Sequence, residues 1–259
     1  MHICPRTANH ELACAQHRGK DAVPAVACSR AAAYKARYMH KLSAGLLLQR
    51  VASCYAGART YRDTGYVYTT VRGPRGIRSN QVSFATAFRR AGGRFRFEFV
   101  VPYPVAPPLG LPERRWIIFR EGSHIDQWSF PGTKAITPET FGLLIAGANG
   151  ISRGAAHNVP ALLMPRDVTG RRLTDHLYAA RVLDQLTCAH RSCLRIEARF
   201  SPGEGESGSV IWIDGEHLLI RRLDARCRRG PFIINSITTY DPVMDESIPE
   251  QELEFAPPA

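Results

Sequence analysis

The chain has 259 residues, 44% of them hydrophobic, and a formal charge of +11. The apolar content is ordinary for a globular protein and excludes disorder throughout, while the length allows one large β domain or two small ones. The charge includes a segment, residues 1–40, with six Lys or Arg against two acids, and nowhere do four basic residues run together, so it reads as a solvated, arginine-rich surface and no nucleic-acid partner is expected.

Residues 1–39 are expected to be a poorly ordered or mis-assigned N-terminal extension, and residues 40–259 a single domain. Cys4, His10, Cys14, His17 and Cys28 have spacings that fit no zinc finger or ribbon, so no metal site is read there. The longest apolar run, Leu42 to Leu48, stops at Gln49-Arg50, far short of the ~18 residues a membrane-spanning helix needs. Val51-Ala52-Ser53-Cys54 has the form of a lipobox, which would make Cys54 an acylation site. The charge at Arg50, between apolar run and cleavage point, spoils that reading. An amphipathic helix over roughly 40–58, with Leu42, Leu46, Val51, Cys54 and Tyr55 on one side, is preferred.

From residue 65 onward the dominant period is two, the signal of strands. Gly65 to Val71 is β-branched and aromatic and ends in the turn residues Gly73, Pro74 and Gly76. Val82 to Arg89 follows, with Phe84 and Phe88 on one face. Arg94 to Phe99 is the cleanest alternation, with Phe95, Phe97 and Phe99 to one side and charges to the other, as in an antiparallel sheet with one wet face. Pro102 to Pro112 reads as a loop, and Trp116–Arg120 and Ile125–Phe130 as strands. Pro138-Glu139-Thr140 can start a helix carrying Phe141, Leu144 and Ile145. Val159 to Met164 is a short apolar piece between prolines. Leu194–Phe200, Ser209–Ile213, His217–Leu223 and Phe232–Tyr240 are further strands, with Asp214-Gly215 as a tight turn, Arg228-Arg229-Gly230 as a solvated one and Leu253–Phe255 as a short edge strand.

Cys188 and Cys193 flank a short polar stretch whose turn would bring them within disulfide range; a disulfide or two free thiols are both open. The histidines are scattered, with no H-E-x-x-H, and no phosphate-binding glycine loop occurs. No cofactor is expected. Asp63 and Asp126 read as turn or salt-bridge residues. Gly150-Ile151-Ser152-Arg153-Gly154 is a literal G-x-S-x-G, the elbow that presents a serine nucleophile in α/β-hydrolases. Leu143 to Ala146 could supply its strand, Asp167, Asp175 or Asp184 its acid, and His190 or His217 its base. Pro160 breaks the helix the elbow requires, and the chain shows no repeated βα units, so Ser152 is read as a loop residue and the protein as no enzyme.

A helix, long antiparallel strands, a helical interruption and more strands, together with several local strings, resemble the LolA-like outer-membrane lipoprotein carriers. The strings are Leu47 to Tyr55 leading into Tyr61-Arg62-Asp63-Thr64-Gly65, Thr86-Ala87-Phe88 with Arg94 to Glu98, Gly150-Ile151-Ser152, Ile211-Trp212-Ile213-Asp214 with Leu218 to Arg222, and Thr238 to Pro242. The resemblance implies a mostly β, strongly curved antiparallel sheet, an incomplete barrel with a few helices closing its concave face. It also implies a periplasmic or cell-envelope setting, compatible with peripheral membrane association, and a monomer that takes a lipid, an acyl chain or a lipoprotein into an apolar hollow. The concave face would be lined by Phe84, Phe88, Phe95, Phe97, Phe99, Ile118, Trp128 and Trp212. The same fold used as a protein-interaction module without a ligand, and a serine hydrolase built on Ser152, are the alternatives.

Overall fold

A computed structural model describes residues 43–102, 114–130, 140–170, 172–175, 179–188, 191–199 and 207–257. The expected N-terminal extension, Leu42, the Pro102–Pro112 loop beyond Pro102, the Pro138-Glu139 helix start, His190 and Phe200 lie outside the described residues. Among those described, no helix is long and apolar enough to cross a membrane.

Helix α1 (Ala44–Gly57) is capped by the Ser43 hydroxyl, which accepts from the Leu46 N–H at 3.3 Å. Its buried stripe is Ala44, Leu47, Leu48, Val51 and Tyr55, while Leu46 is exposed. The inward face is therefore rotated from the expected one, because the i, i+3/i+4 series runs from Ala44 rather than Leu42. The lipobox-like tetrapeptide lies inside this helix, with Val51 fully buried.

Strands β1 (Thr60–Gly73), β2 (Gly76–Arg89), β3 (Arg94–Val101), β4 (Arg114–Glu121) and β5 (His124–Phe130) form one meander. After it come α2 (Phe141–Ile151), α3 (Ala155–Asn158) and α4 (Pro160–Leu163). A second meander follows: β6 (Ala179–Cys188), β7 (Arg191–Arg199), β8 (Gly208–Asp214), β9 (Ile220–Arg229) and β10 (Phe232–Tyr240), with the short β11 (Val243–Met244). The two meanders join where β1 pairs with β10, giving one antiparallel sheet in the order β5-β4-β3-β2-β1-β10-β9-β8-β7-β6, with β11 on β1. β5 and β6 are its two ends, so the sheet stays open. This is the half-barrel expected, and the helices inserted between the meanders cover one face of it.

Two local expectations change. Leu253 lies in a short 3-10 turn, Glu250–Leu253, rather than an edge strand. Ion pairs from Arg62 to Glu252 (3.4 Å) and Arg89 to Glu250 (2.9 Å) hold that turn against the outer face of β1 and β2. The β8–β9 turn spans Gly215 to Leu219, longer than Asp214-Gly215 suggests, because Asp214 accepts the Glu216 and His217 N–H groups and folds the chain around its carboxylate.

The register writes the inner face as rows. Tyr61, Phe88 and Phe95 stand opposite one another, then Asp63, Thr86, Phe97 and Ile118, then Gly65, Phe84, Phe99 and Trp116. Gly65 is required in its row: a Cβ there would come within 2.6 Å of the Phe84 ring and 2.1 Å of the Thr239 carbonyl oxygen. Arg90 ties helices to sheet, donating to the carbonyls of Ala58 (2.7 Å) and Leu163 (3.3 Å) just past or at the ends of α1 and α4.

Asp63, expected in a turn or a salt bridge, lies instead within β1, buried at 4% exposure, and accepts from the Tyr61 hydroxyl at 2.6 Å. Burial pushes its pKa up to about 6, against the opposing pull of Thr86 and Tyr61. A folded-state pKa above the unfolded one means that the native state holds the extra proton between about pH 4 and 6. Stability on this account is fullest near pH 4 and falls as pH rises through 6, by roughly 2–3 kcal/mol. Urea midpoints at pH 4.5 and pH 7 are expected to differ less for Asp63→Asn than for the wild type.

Candidate ligand-binding groove on the concave face

Of the eight residues expected to line a hollow, the register places six on the inner face: Phe84, Phe88, Phe95, Phe97, Phe99 and Ile118. Most of them are packed as core. Phe95 meets the Phe141 ring of α2 edge-on at 5.4 Å, and Phe97 contacts Phe84 (6.0 Å) and Phe99 (5.7 Å).

Trp128 and Trp212 are on the opposite face. Trp128 pairs with Ile117, one residue out of phase with Ile118, and stacks on Phe130. Trp212 pairs with Arg195 and Arg222, whose guanidinium groups each sit 5.1 Å from its ring, and its indole N–H donates to Asp224 at 3.1 Å. The strand period is two, so Ile211 and Ile213 face inward and Trp212 must face outward.

An open space on the inner face lies between β3–β5 and α2. It is a groove of about 330 Å³ lined by Phe99, Trp116, Ile118, Gln127, Leu143, Leu144, Gly147, Ala148 and Ile151. The volume is at the lower end of small-ligand sites, and the single side-chain amide among apolar groups is the usual composition of one. α2 creates it by being apolar on two sides. Phe141, Leu144, Ile145 and Ala148 pack into the core, while Leu143 and Ile151 remain 58% and 45% exposed at the groove. Gly147 deepens it, since nothing lies within 4 Å of where its Cβ would be. The Thr140 hydroxyl caps the helix, accepting from the Leu143 N–H. The signal for this second apolar stripe was present in Leu143, Gly147 and Ile151, at helical spacing.

The G-x-S-x-G segment does not form a nucleophile elbow. Leu143 to Ala146, the strand it would need, lies within α2. Ser152 is fully buried at the end of that helix, and its hydroxyl accepts from the Ala156 N–H at 3.0 Å. The suggested acids are committed elsewhere: Asp167 to Arg120 (3.2 Å), Asp175 to Arg172 (2.6 Å) and Asp184 to Arg195 (2.5 Å). His217 stands 3.7 Å from Asp214, and His124 pairs with Asp126 at 2.6 Å. Asp214, Glu216 and His217 come together at the β8–β9 turn, but Arg221 and the turn N–H groups already occupy the Asp214 oxygens.

Cys188 and Cys193 sit diagonally across the β6–β7 hairpin, where Cys193 pairs with Leu186 and Cys188 with Arg191. Among the described residues, none of Cys54, Cys188, Cys193 and Cys227 is in a disulfide. Burial, then the neighbouring Cys188, pushes the Cys193 thiol up to about 12.

No protein-family model matches the chain, and no curated protein does. Solved structures with a similar backbone arrangement include LprF from Mycobacterium bovis, at 10% identity over 80% of this chain and 94% of that one, with a TM-score of 0.44. The Mycobacterium tuberculosis lipoprotein LppX is similar at 14% identity over 79% and 97% of the two chains, with a TM-score of 0.38. A LolA superfamily protein from Nitrosomonas europaea is similar at 9% identity over 83% and 98%, with a TM-score of 0.30. This chain shares with them an open antiparallel sheet, here built of two meanders that meet at β1 and β10 with helices across the concave face.

Proposed function

We propose that this protein is a non-catalytic component of the bacterial cell envelope that holds a lipid, an acyl chain or the lipid part of a lipoprotein in the groove between β3–β5 and α2. The observation that carries the reading is the groove itself: about 330 Å³, walled by Phe99, Trp116, Ile118 and Leu144, with Leu143 and Ile151 left in contact with solvent. Exposed large apolar side chains on the rim of an apolar cleft cost solvation free energy that a guest would recover. A periplasmic setting, a monomeric state and a single domain over residues 40–259 belong to the same proposal. A 330 Å³ space accommodates part of a long chain, so the remainder would extend past Ile151 or out along the exposed rim.

A second reading, the same fold as an interaction module without a ligand, is favoured by Phe95 and Phe97, which are fully buried and packed as core rather than lining the groove. In that case Leu143 and Ile151 would dock a protein. Native mass spectrometry of the purified protein, followed by solvent extraction, separates the two. A bound lipid mass that the solvent removes is expected. A bare chain mass, together with no uptake of added lipid, would favour the module.

A further inference from the structure

Beyond Ile151 the concave face opens into a second, larger hollow of about 1000 Å³, at the tip of the β1–β2 hairpin. Its floor is apolar. Phe232 lies across Gly73, where a Cβ would approach its ring to 2.5 Å, and Val71 and Pro74 stand beside it. Around that floor are Arg75, Arg78 and Arg153, and no Asp or Glu is among the lining residues. Several arginines at the sheet surface are matched to acids, as in Arg62–Glu252, Arg96–Glu98, Arg181–Glu197, Arg195–Asp184 and Arg222–Asp224. Among the described residues, none of the three in the hollow has a carboxylate partner. Three like charges around one space repel one another, and an anion placed among them would relieve that repulsion.

Their position relative to the groove matters as much as their charge. Ile151 lines the groove and Arg153, two residues on, lines the hollow, with the buried Ser152 fixing the turn between them. Arg153 is held in the left-handed region at φ 57, and Gly154 after it at φ 99, so the chain turns sharply as it leaves α2. One end of α2 therefore offers apolar walls and the segment just past it offers guanidinium groups.

We infer that the ligand is an anionic amphiphile, whose chain lies in the α2 groove and whose phosphate or carboxylate head is held by Arg75, Arg78 and Arg153. This assignment rests on the groove being an acyl site. Guanidinium groups suit it because their forked donors match the oxygens of such heads.

The test compares dodecyl phosphate, dodecanol and inorganic phosphate by isothermal titration calorimetry, on the full chain and on the double variant Arg78→Gln/Arg153→Gln. Both side chains are exposed, and glutamine at residue 153 meets the same backbone requirement as arginine, so the variant is expected to fold. The wild type is expected to bind dodecyl phosphate at least about tenfold more tightly than dodecanol, with that preference falling as salt rises. In the double variant the preference should vanish while dodecanol affinity is retained. Equal affinity for phosphate and alcohol in the wild type would overturn the head-group assignment and leave the groove intact. Inorganic phosphate binding as well as dodecyl phosphate would overturn it too, by showing an anion site unconnected with a chain. Binding of none of the three would remove the groove reading together with this one.

Discussion

Phe97→Ala is expected to lower the unfolding free energy by about 3–5 kcal/mol, the range for deleting a large buried aromatic. Phe97 is fully buried in the middle of β3, between the Phe84 and Phe99 rings and opposite Thr86 and Ile118. Its neighbours are held in place, because Gly65 and the Tyr240 ring flank the Phe84 ring and Trp116 stacks on Phe99 at 4.9 Å. The cavity would therefore persist, which places the cost toward the upper end. Trp116, half-buried at the groove, is a contrasting position where truncation removes wall rather than core and should cost clearly less. Urea unfolding followed by circular dichroism measures both. A Phe97→Ala cost below about 1 kcal/mol would mean that this row is not the packed centre of the sheet.

Arg221→Ala is the second large effect, expected at about 3–5 kcal/mol because it strands a buried charge. Trp212 pairs with Arg222 and Ile213 with Ile220, so Arg221 is the extra residue of a β-bulge, and its side chain is directed to Asp214 (3.2 Å) and Asp241 (3.3 Å). Arg221 is 5% exposed and Asp214 1%. Burial pushes the Asp214 carboxyl up, but the Glu216 and His217 N–H groups and Arg221 together hold it below the usual carboxylate value. A depressed pKa contributes stability above the unfolded value near 4, lost as pH falls through the folded value. The Arg221→Ala penalty should therefore be largest at neutral pH and shrink toward pH 3. Adding Asp214→Asn to Arg221→Met should recover much of the loss, since asparagine can still accept the turn N–H groups without a charge. Additivity of the two changes would sink the explanation.

The legible and illegible parts of the fold differ in physical kind. β3 was plain because Arg94 to Phe99 alternates without interruption, and that alternation also placed Phe95, Phe97 and Phe99 on one face. Trp212 was misplaced because its large apolar ring suggested the interior. The strand parity set by Ile211 and Ile213 sends it outward, where Arg195 and Arg222 cover it. Trp128 went wrong in the same way, one residue out of register with Ile118. Asp63 reads as a turn or salt-bridge residue because Arg62 is its neighbour in sequence, whereas strand parity puts it on the inner face with Tyr61, two residues away, whose hydroxyl donates to it. The groove was illegible for a further reason. Its walls come from β3, β4, β5 and α2, and only the tertiary arrangement decides which apolar residues fill space and which leave it open.

Titration of a fluorescent fatty acid against wild type and Gly147→Phe asks whether the groove on α2 is the ligand site. Gly147 lines the groove on α2 with open space at its Cβ position, so the phenyl ring enters the groove without disturbing the core. Replacing a helical glycine should leave the melting temperature unchanged or raise it. The wild type is expected to show saturable one-to-one binding, and an equally stable Gly147→Phe at least about tenfold weaker binding. Equal binding by the two proteins, or none by the wild type, would contradict the groove as that site.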